Sequence, residues 1–329
     1  MDIVRTTLFG LCLLIAGCAN TAAERAAPAA YAVVHGWPQL PEGRILGQAT
    51  GVDIDSAGNV LVFHRARRAW SEDPALPFIS EPTIDVFEGR SGRHLRSWGT
   101  NQFAMPHGLT IDSEDNVWVT DVLLHQVFKF NSRGELLLTL GQARVSGNDR
   151  AHFNLPTDVA VLPDGSFYVA DGYGNARVVK FSASGEYQFE WGREGSGPGE
   201  FSLPHAIDVD VEGRVYVADR SNARIQIFDA TGKFLAQWRS AELGRPYSIS
   251  VAGNRAVVVD GGDQPTQGPD RSGAAEVDLD GQILARFGRF GNYDGQFRLA
   301  HDVVIASDGS VFVADAWGQR VQKFERRTR

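Results

Sequence analysis

An all-β fold, a six-bladed β-propeller closed by an N-terminal strand, is what the sequence predicts. One motif recurs six times at a mean period of about 50 residues in a chain of 329. Each copy holds two runs of alternating apolar and polar residues joined by a turn rich in Gly, Asn or Asp, the mark of two paired strands. Further apolar runs follow most copies and raise the count to four strands per unit, and four strands at this period are propeller blades. The length would otherwise allow two domains, but one ring over residues 31–329 uses all of it.

The copies span 51–63, 108–121, 158–171, 206–219, 248–260 and 302–315, the fifth being degenerate. Third strands are expected at Gln126–Phe130 and at 178–181, 225–228 and 321–324, and fourth strands at Leu136–Leu140 and Phe234–Trp238. The unit is similar to the NHL-type repeat. The sixth copy stops after its third strand, so residues 31–37 are expected to add the missing outer strand, which joins the chain ends and removes an open sheet edge. Asp121, Asp171, Asp219, Asp260 and Asp315 recur in nearly every blade. That repetition marks them as turn-capping residues.

Composition narrows the function. A hydrophobic share of 43% supplies a sizeable core, and 36 glycines fit many tight turns. The net charge of −8 carries no basic footprint for nucleic acid. The two cysteines, Cys12 and Cys18, lie in the first eighteen residues. Residues 8–16 form an apolar run too short to span a bilayer, which fits the core of a signal peptide. The run ends in Ile15-Ala16-Gly17-Cys18, which resembles a bacterial lipobox. That resemblance implies a lipoprotein signal peptide over 1–17, lipidation of Cys18 and a flexible tether over 18–30. The protein would then be extracytoplasmic, lipid-anchored to a bacterial membrane at the periplasm or cell surface.

The residue just before each inner strand is, blade by blade, Thr50, His107, Thr157, His205, Tyr247 and His301. Histidine occupies alternate blades, at gaps of 98 and 96 residues. Alternate blades of a six-fold ring lie about 120° apart, and inner strands line the channel. Three imidazoles therefore converge on the axis, and three histidines with an open fourth position are a catalytic zinc arrangement. A lone histidine at a strand start is usually structural, and His35, His64, His94, His125 and His152 show no such register. The loops after the second strands overlook the same mouth and carry Arg65, Tyr173 and Arg220. Guanidiniums around a metal suit an anionic substrate, since the planar fork of arginine matches a carboxylate. Arg67, Arg68, Arg90 and Arg93 read as solvated loop charges. Asp302, directly after His301, is placed to orient the site or to hold a second cation.

On these residues the chain resembles the lyases that cleave peptidyl-α-hydroxyglycine, the second half of peptide α-amidation. The matching stretches include Phe63-His-Arg65, Pro106-His-Gly-Leu-Thr-Ile-Asp112, Ala170-Asp-Gly-Tyr173, Ala218-Asp-Arg220 and His301-Asp302. The resemblance implies zinc on His107, His205 and His301, with Arg65 and Tyr173 catalytic and Arg220 in the site. It also implies a structural calcium on the carbonyls of Val52 and Leu109 and on Asp302. Gly174 stands where animal members carry a cysteine after the tyrosine. The expected protein is a monomer acting on a peptide or small-molecule α-hydroxyglycine, with Tyr173 as base, Arg65 on the substrate carboxylate and Arg220 completing the pocket. Two alternatives stand beside it. One is a non-catalytic NHL propeller that binds a protein or envelope polymer. The other is a lactonase-like metallohydrolase, whose calcium chemistry the tri-histidine register opposes.

Overall fold

The computed structural model describes residues 31–262 and 270–327. The signal peptide, Cys18 and the tether expected from the sequence lie outside the described residues. Among the described residues, twenty-four strands form six four-stranded antiparallel sheets, each ordered from an inner to an outer strand. The inner strands are Ala49–Ile54, Pro106–Ile111, Asp158–Val161, Pro204–Val209, Pro246–Ala252 and Ala300–Ile305. Among the described residues, no helix is long and apolar enough to cross a membrane.

The four positions within a blade explain its sequence. Second strands such as Val215–Asp219 are buried at every residue, so the alternation expected of both strands of a copy gives way there to burial on both faces. Outer strands such as Tyr187–Trp191 half-bury alternate residues and expose the others. Apolar clusters then fill the spaces between blades. One joins Leu61 and Phe63 of the first blade to Val117 and Val119 of the second. Another joins Tyr168 and Val178 of the third to Val217 and Phe228 of the fourth. Each blade thus depends on its neighbours for burial.

Some turns are fixed by those neighbours. Gly232, at φ +80°, sits against the Trp191 ring of the preceding blade, and an added Cβ would fall 2.7 Å from it. Gly281 stands on Trp238 in the same way. A side chain there would both strain the backbone and separate two blades.

The ring closes as expected. Tyr31–Val33 pairs antiparallel with the last strand, Tyr31 opposite Arg326 and Val33 opposite Phe324. The added strand is shorter than the 31–37 segment. Its continuation instead buries Trp37 against Phe312 of the sixth blade, ring centroids 4.8 Å apart, and against Phe87 of the first.

Candidate active site

Five of the six register residues sit at a slip in pairing between the first and second strands. Pairing skips Thr50, His205, Tyr247 and His301, and skips His107 together with Gly108. A bulge of this kind re-aims a side chain. His107, His205 and His301 are buried in the channel, their ring centroids 4.8–4.9 Å apart. One nitrogen from each lies within 4.8 Å of the others.

The remaining three register residues set the tautomers. His107 Nδ1 donates to the carbonyl of Thr157 at 2.7 Å, His205 Nδ1 to that of Tyr247 at 2.7 Å, and His301 Nδ1 to that of Thr50 at 2.8 Å. Each imidazole therefore presents an unprotonated Nε2 to the axis, the arrangement by which metal-ligating histidines are held. Burial, then the charge on Arg65, pushes His107 down to about 3. Burial, then the neighbouring histidines, also pushes His205 down, and burial followed by His107 and Arg65 does so for His301. Three neutral imidazoles at neutral pH are a donor set that fits zinc.

The register threonines and the aspartates that end the second strands hold the histidines in place. Thr50 Oγ1 donates to the Pro106 carbonyl and Thr157 Oγ1 to the Pro204 carbonyl, so each threonine grips the residue before the next histidine. The recurrent aspartates cap turns as expected, and they also fix the approach to each inner strand. Asp121 accepts from the amides of Ala104 and Met105, Asp219 from Ser202 and Asp315 from Leu299. Arg177, Arg224 and Arg320 pair with their blade's aspartate at 3.0, 2.7 and 3.2 Å.

The three predicted rim residues meet over the histidines. Tyr173 Oη lies 3.2 Å from His107 Nε2 and 3.1 Å from His205 Nε2, and Arg220 Nη1 approaches it to 3.5 Å. The Arg220 guanidinium also lies over the Tyr247 ring at 4.0 Å. Arg65 is buried. Its Nε donates to the Pro106 carbonyl at 3.0 Å and its Nη1 to Gln48 Oε1 at 2.8 Å, whereas Nη2 has no hydrogen-bond partner. Burial pulls its pKa down to about 10, so it stays charged at neutral pH. Because Nε and Nη1 are already engaged, Arg65 offers an anion its Nη2 edge rather than the whole fork.

Trp70 was not singled out by sequence. Its ring lies 5.0 Å from that of Tyr173 and 6.4 Å from that of His107, and the Arg65 guanidinium lies over it at 4.8 Å. It comes from the long first-blade loop between Asn59–His64 and Ile84–Glu88. Arg68 belongs to the same loop, and it is not a solvated charge. It is half-buried and donates to the carbonyls of Pro77 and Ala104, pinning the loop to the second blade. Arg67 and Arg93 are exposed.

Deeper in the channel, Val52, Leu109 and Asp302 line one cavity of about 210 Å3 together with Asp53, Asp158 and Asp208. Asp302 accepts from the Val52 amide and the Ser248 hydroxyl, at 2.8 and 2.7 Å. Asp302 also lines the small space among the three histidines, so it borders both the histidine cluster and this cavity. Burial pushes Asp53 and Asp208 up to about 7 and Asp302 to about 6. Carboxylates and carbonyls around one space are the donor set of a hard cation. The histidines outside the register are engaged elsewhere: His64 and His94 with Asp85, His35 with Asp294, His152 with Asp149 and His125 with the Leu155 amide. Gly174 packs on the Asn154 amide, where an added Cβ would fall 2.2 Å from Cγ.

Comparison with known proteins agrees with this architecture. A family described as a 6-bladed beta-propeller matches residues 148–241, and the NHL repeat matches 103–130 and 297–324. Virginiamycin B lyase from Staphylococcus aureus is similar in fold, with a TM-score of 0.58 at 13% identity over 86% of this chain and 98% of that one. Peptidyl-glycine alpha-amidating monooxygenase B of Xenopus laevis is 40% identical over 85% of the chain. The chain spans about a third of that relative's length, 34%. The probable peptidyl-alpha-hydroxyglycine alpha-amidating lyase of Caenorhabditis elegans is 32% identical, with 84% of this chain and 82% of that one covered. The chain belongs to the peptidyl-α-hydroxyglycine α-amidating lyase family. A second lyase of the family, from Drosophila melanogaster, is also 32% identical, over 88% of this chain and 73% of its own.

Proposed function

We propose that this protein is a zinc-dependent lyase that splits the N–C bond of a peptidyl- or N-acyl-α-hydroxyglycine into an amide and glyoxylate. One observation carries the reading: three neutral imidazoles, a tyrosine hydroxyl and a buried guanidinium converge at one channel mouth. Family membership supports it.

His107, His205 and His301 would hold zinc through Nε2. Bound zinc supplies Lewis acidity, which lowers the pKa of a coordinated hydroxyl. The reacting carbon carries a hydroxyl, a carboxylate and an amide nitrogen. Arg65 takes a carboxylate oxygen on Nη2. As a phenolate, favoured by the positive charge of Arg220 beside it, Tyr173 Oη would accept the hydroxyl proton and become the neutral phenol. The oxygen forms a carbonyl, and the C–N electron pair leaves with nitrogen. Tyr173 returns the proton to that nitrogen, so water is neither consumed nor released. Deeper in the channel, the Val52 and Leu109 carbonyls and the Asp302 carboxylate would hold calcium and tie the first, second and sixth blades. Lipidated Cys18 would anchor the enzyme outside the cytoplasm.

The test is incubation of the purified, zinc-loaded protein with N-benzoyl-α-hydroxyglycine. Benzamide and glyoxylate should appear in equal amounts, and chelation should stop the reaction. If zinc-loaded protein made no glyoxylate above the uncatalysed rate, the propeller would be a binding scaffold.

A further inference from the structure

We infer that Trp70 is a positioning residue: its indole holds the Arg65 guanidinium flat and so keeps the free Nη2 edge presented to the substrate carboxylate. This rests on the lyase reading and adds a residue to its carboxylate grip. Two hydrogen bonds alone do not fix that edge. Arg65 Nε donates to the Pro106 carbonyl at 3.0 Å and Nη1 to Gln48 Oε1 at 2.8 Å. Two acceptors define a line, and a planar group held along one line can still pivot about it. Nη2 lies off that line, so pivoting would swing it away. A third contact across the face removes this freedom. Trp70 supplies it, because the guanidinium lies over the indole at 4.8 Å from the ring centroid. Both acceptors are neutral, so the negative face of the indole also adds attraction for a buried charge.

The same ring reaches the proposed base. Its centroid lies 5.0 Å from that of Tyr173, with the planes inclined at 36°. One rigid bicycle thus touches both groups that must meet the same substrate carbon. Arg65 takes the carboxylate of that carbon, and Tyr173 takes its hydroxyl proton. The indole between them sets their spacing.

A spacer needs a fixed base. Trp70 lies in the loop between Asn59–His64 and Ile84–Glu88, and that loop is tied to the second blade at several points. Arg68 donates to the Ala104 carbonyl at 2.7 Å. The Ile79 amide donates to the Phe103 carbonyl at 2.8 Å, and the Ile79 carbonyl accepts from the Asn101 amide at 2.9 Å. Arg144, beyond the second blade's outer strand, donates to the Leu76 carbonyl at 2.6 Å. Leu76 and Leu155 pack with Trp70 and Tyr173 against one apolar cluster. The indole is therefore held by contacts that Arg65 does not supply.

The experiment is a double-mutant cycle on the zinc-loaded full chain, with near-UV circular dichroism to confirm folding. It reads kcat/KM for N-benzoyl-α-hydroxyglycine divided by that for its methyl ester, which has no carboxylate charge. Trp70→Ala should lower this ratio by about three- to tenfold, as expected for loss of a partly desolvated cation–π contact. Trp70→Phe keeps a π face and should stay within about twofold of the wild type, whereas Trp70→Leu should fall as far as the alanine variant. Loss of the Tyr173 contact slows acid and ester alike and cancels in the ratio. In an Arg65→Ala background, Trp70→Ala should change the ratio no further, because the two residues act as one. An equal further drop in that background, a wild-type ratio in Trp70→Ala, or rescue by leucine as good as by phenylalanine would overturn the inference. Should the alanine variant fail to fold, the leucine and phenylalanine variants decide alone. If neither substrate reacts, the lyase reading fails, and calorimetric binding of N-benzoylglycine against its methyl ester decides the role of Trp70 by itself. The same order of ratios among the variants supports it. Equal ratios for leucine and phenylalanine, or no preference for the acid in the wild type, overturn it.

Discussion

Replacing Arg65 tests the chemistry of the mouth most directly, because the structure fixes what its guanidinium has left to give. Nε and Nη1 are held by the Pro106 carbonyl and Gln48, and Nη2 is buried without a partner. A hydrogen bond to a charged group is worth about 1.5–3 kcal/mol. At about 1.4 kcal/mol per decade, Arg65→Ala should lower kcat/KM for N-benzoyl-α-hydroxyglycine by about 10- to 150-fold. The assay pairs this acid with its methyl ester, which lacks the carboxylate charge. Wild type should prefer the acid by a similar factor, and Arg65→Ala should lose most of that preference. The acid preference should hold from neutral pH to about 9 and fade as pH rises past the Arg65 pKa of about 10, where the guanidinium loses its proton. Gln48→Ala, which frees Nη1 while keeping the charge, should give a smaller loss, felt mainly in KM. If Arg65→Ala were folded and kept the wild-type acid-to-ester ratio, the carboxylate would lie elsewhere and the assignment would fail.

Other perturbations address the rest of the assembly. His205→Ala should give a folded protein with far less than one zinc per chain by elemental analysis, and full occupancy would refute the convergence of the three histidines on one ion. Tyr173→Phe removes only an oxygen and should lower kcat by about 100-fold or more with little change in KM; near-wild-type turnover would remove the phenol from the proton path. Burial pushes Asp85 up, but hydrogen bonds from His64, Ser97 and Arg44 and the charge of His64 outweigh it and hold the carboxyl well below its usual range. Its stabilisation is complete above the unfolded pKa of about 4 and is lost as pH falls below that, so Asp85→Asn should shrink the difference in Tm between pH 7 and pH 3. Wild-type protein should partition into membranes through Cys18 and Cys18→Ser should not, since anchoring would depend on acyl chains at that residue; retention of the serine variant after a high-salt wash would overturn the lipobox reading.

The parts of this design that were legible in the sequence are those that repeat. Alternating strands, the aspartate ending each second strand and the histidine of every other blade recur at a fixed period, so each copy reports on the next. The third strand at Gln126–Phe130 and the fourth at Leu136–Leu140 and Phe234–Trp238 fall where the pattern puts them. Trp70 was not legible, because its loop belongs to one blade and its packing on Tyr173 depends on how that loop folds back. Gln48 was missed because its residue type carries no repeat signal, although the pairing of Ala49 with His64 sets it opposite Arg65 in the same blade. The cavity of about 660 Å3 that Tyr173 lines together with Ser202 and Ser221 lies between the third and fourth blades, so no single-blade pattern records it.

The odd-numbered blades show why a register can be visible while half its meaning is hidden. Thr50, Thr157 and Tyr247 carry hydroxyls in place of an imidazole, and from sequence they look like the positions where the histidine is missing. What they share is a backbone carbonyl aimed at the imidazole of the preceding even blade. A carbonyl has no letter in the sequence, so this role is invisible there. It also explains why the histidines alternate. An imidazole in every blade would place six rings on one axis and leave no carbonyl-bearing neighbour free of a ring of its own. With three rings and three carbonyls, each ring has one nitrogen fixed and the other directed inward. The six-fold fold thereby acquires a three-fold site, with the Tyr173 hydroxyl facing the inward nitrogens of His107 and His205.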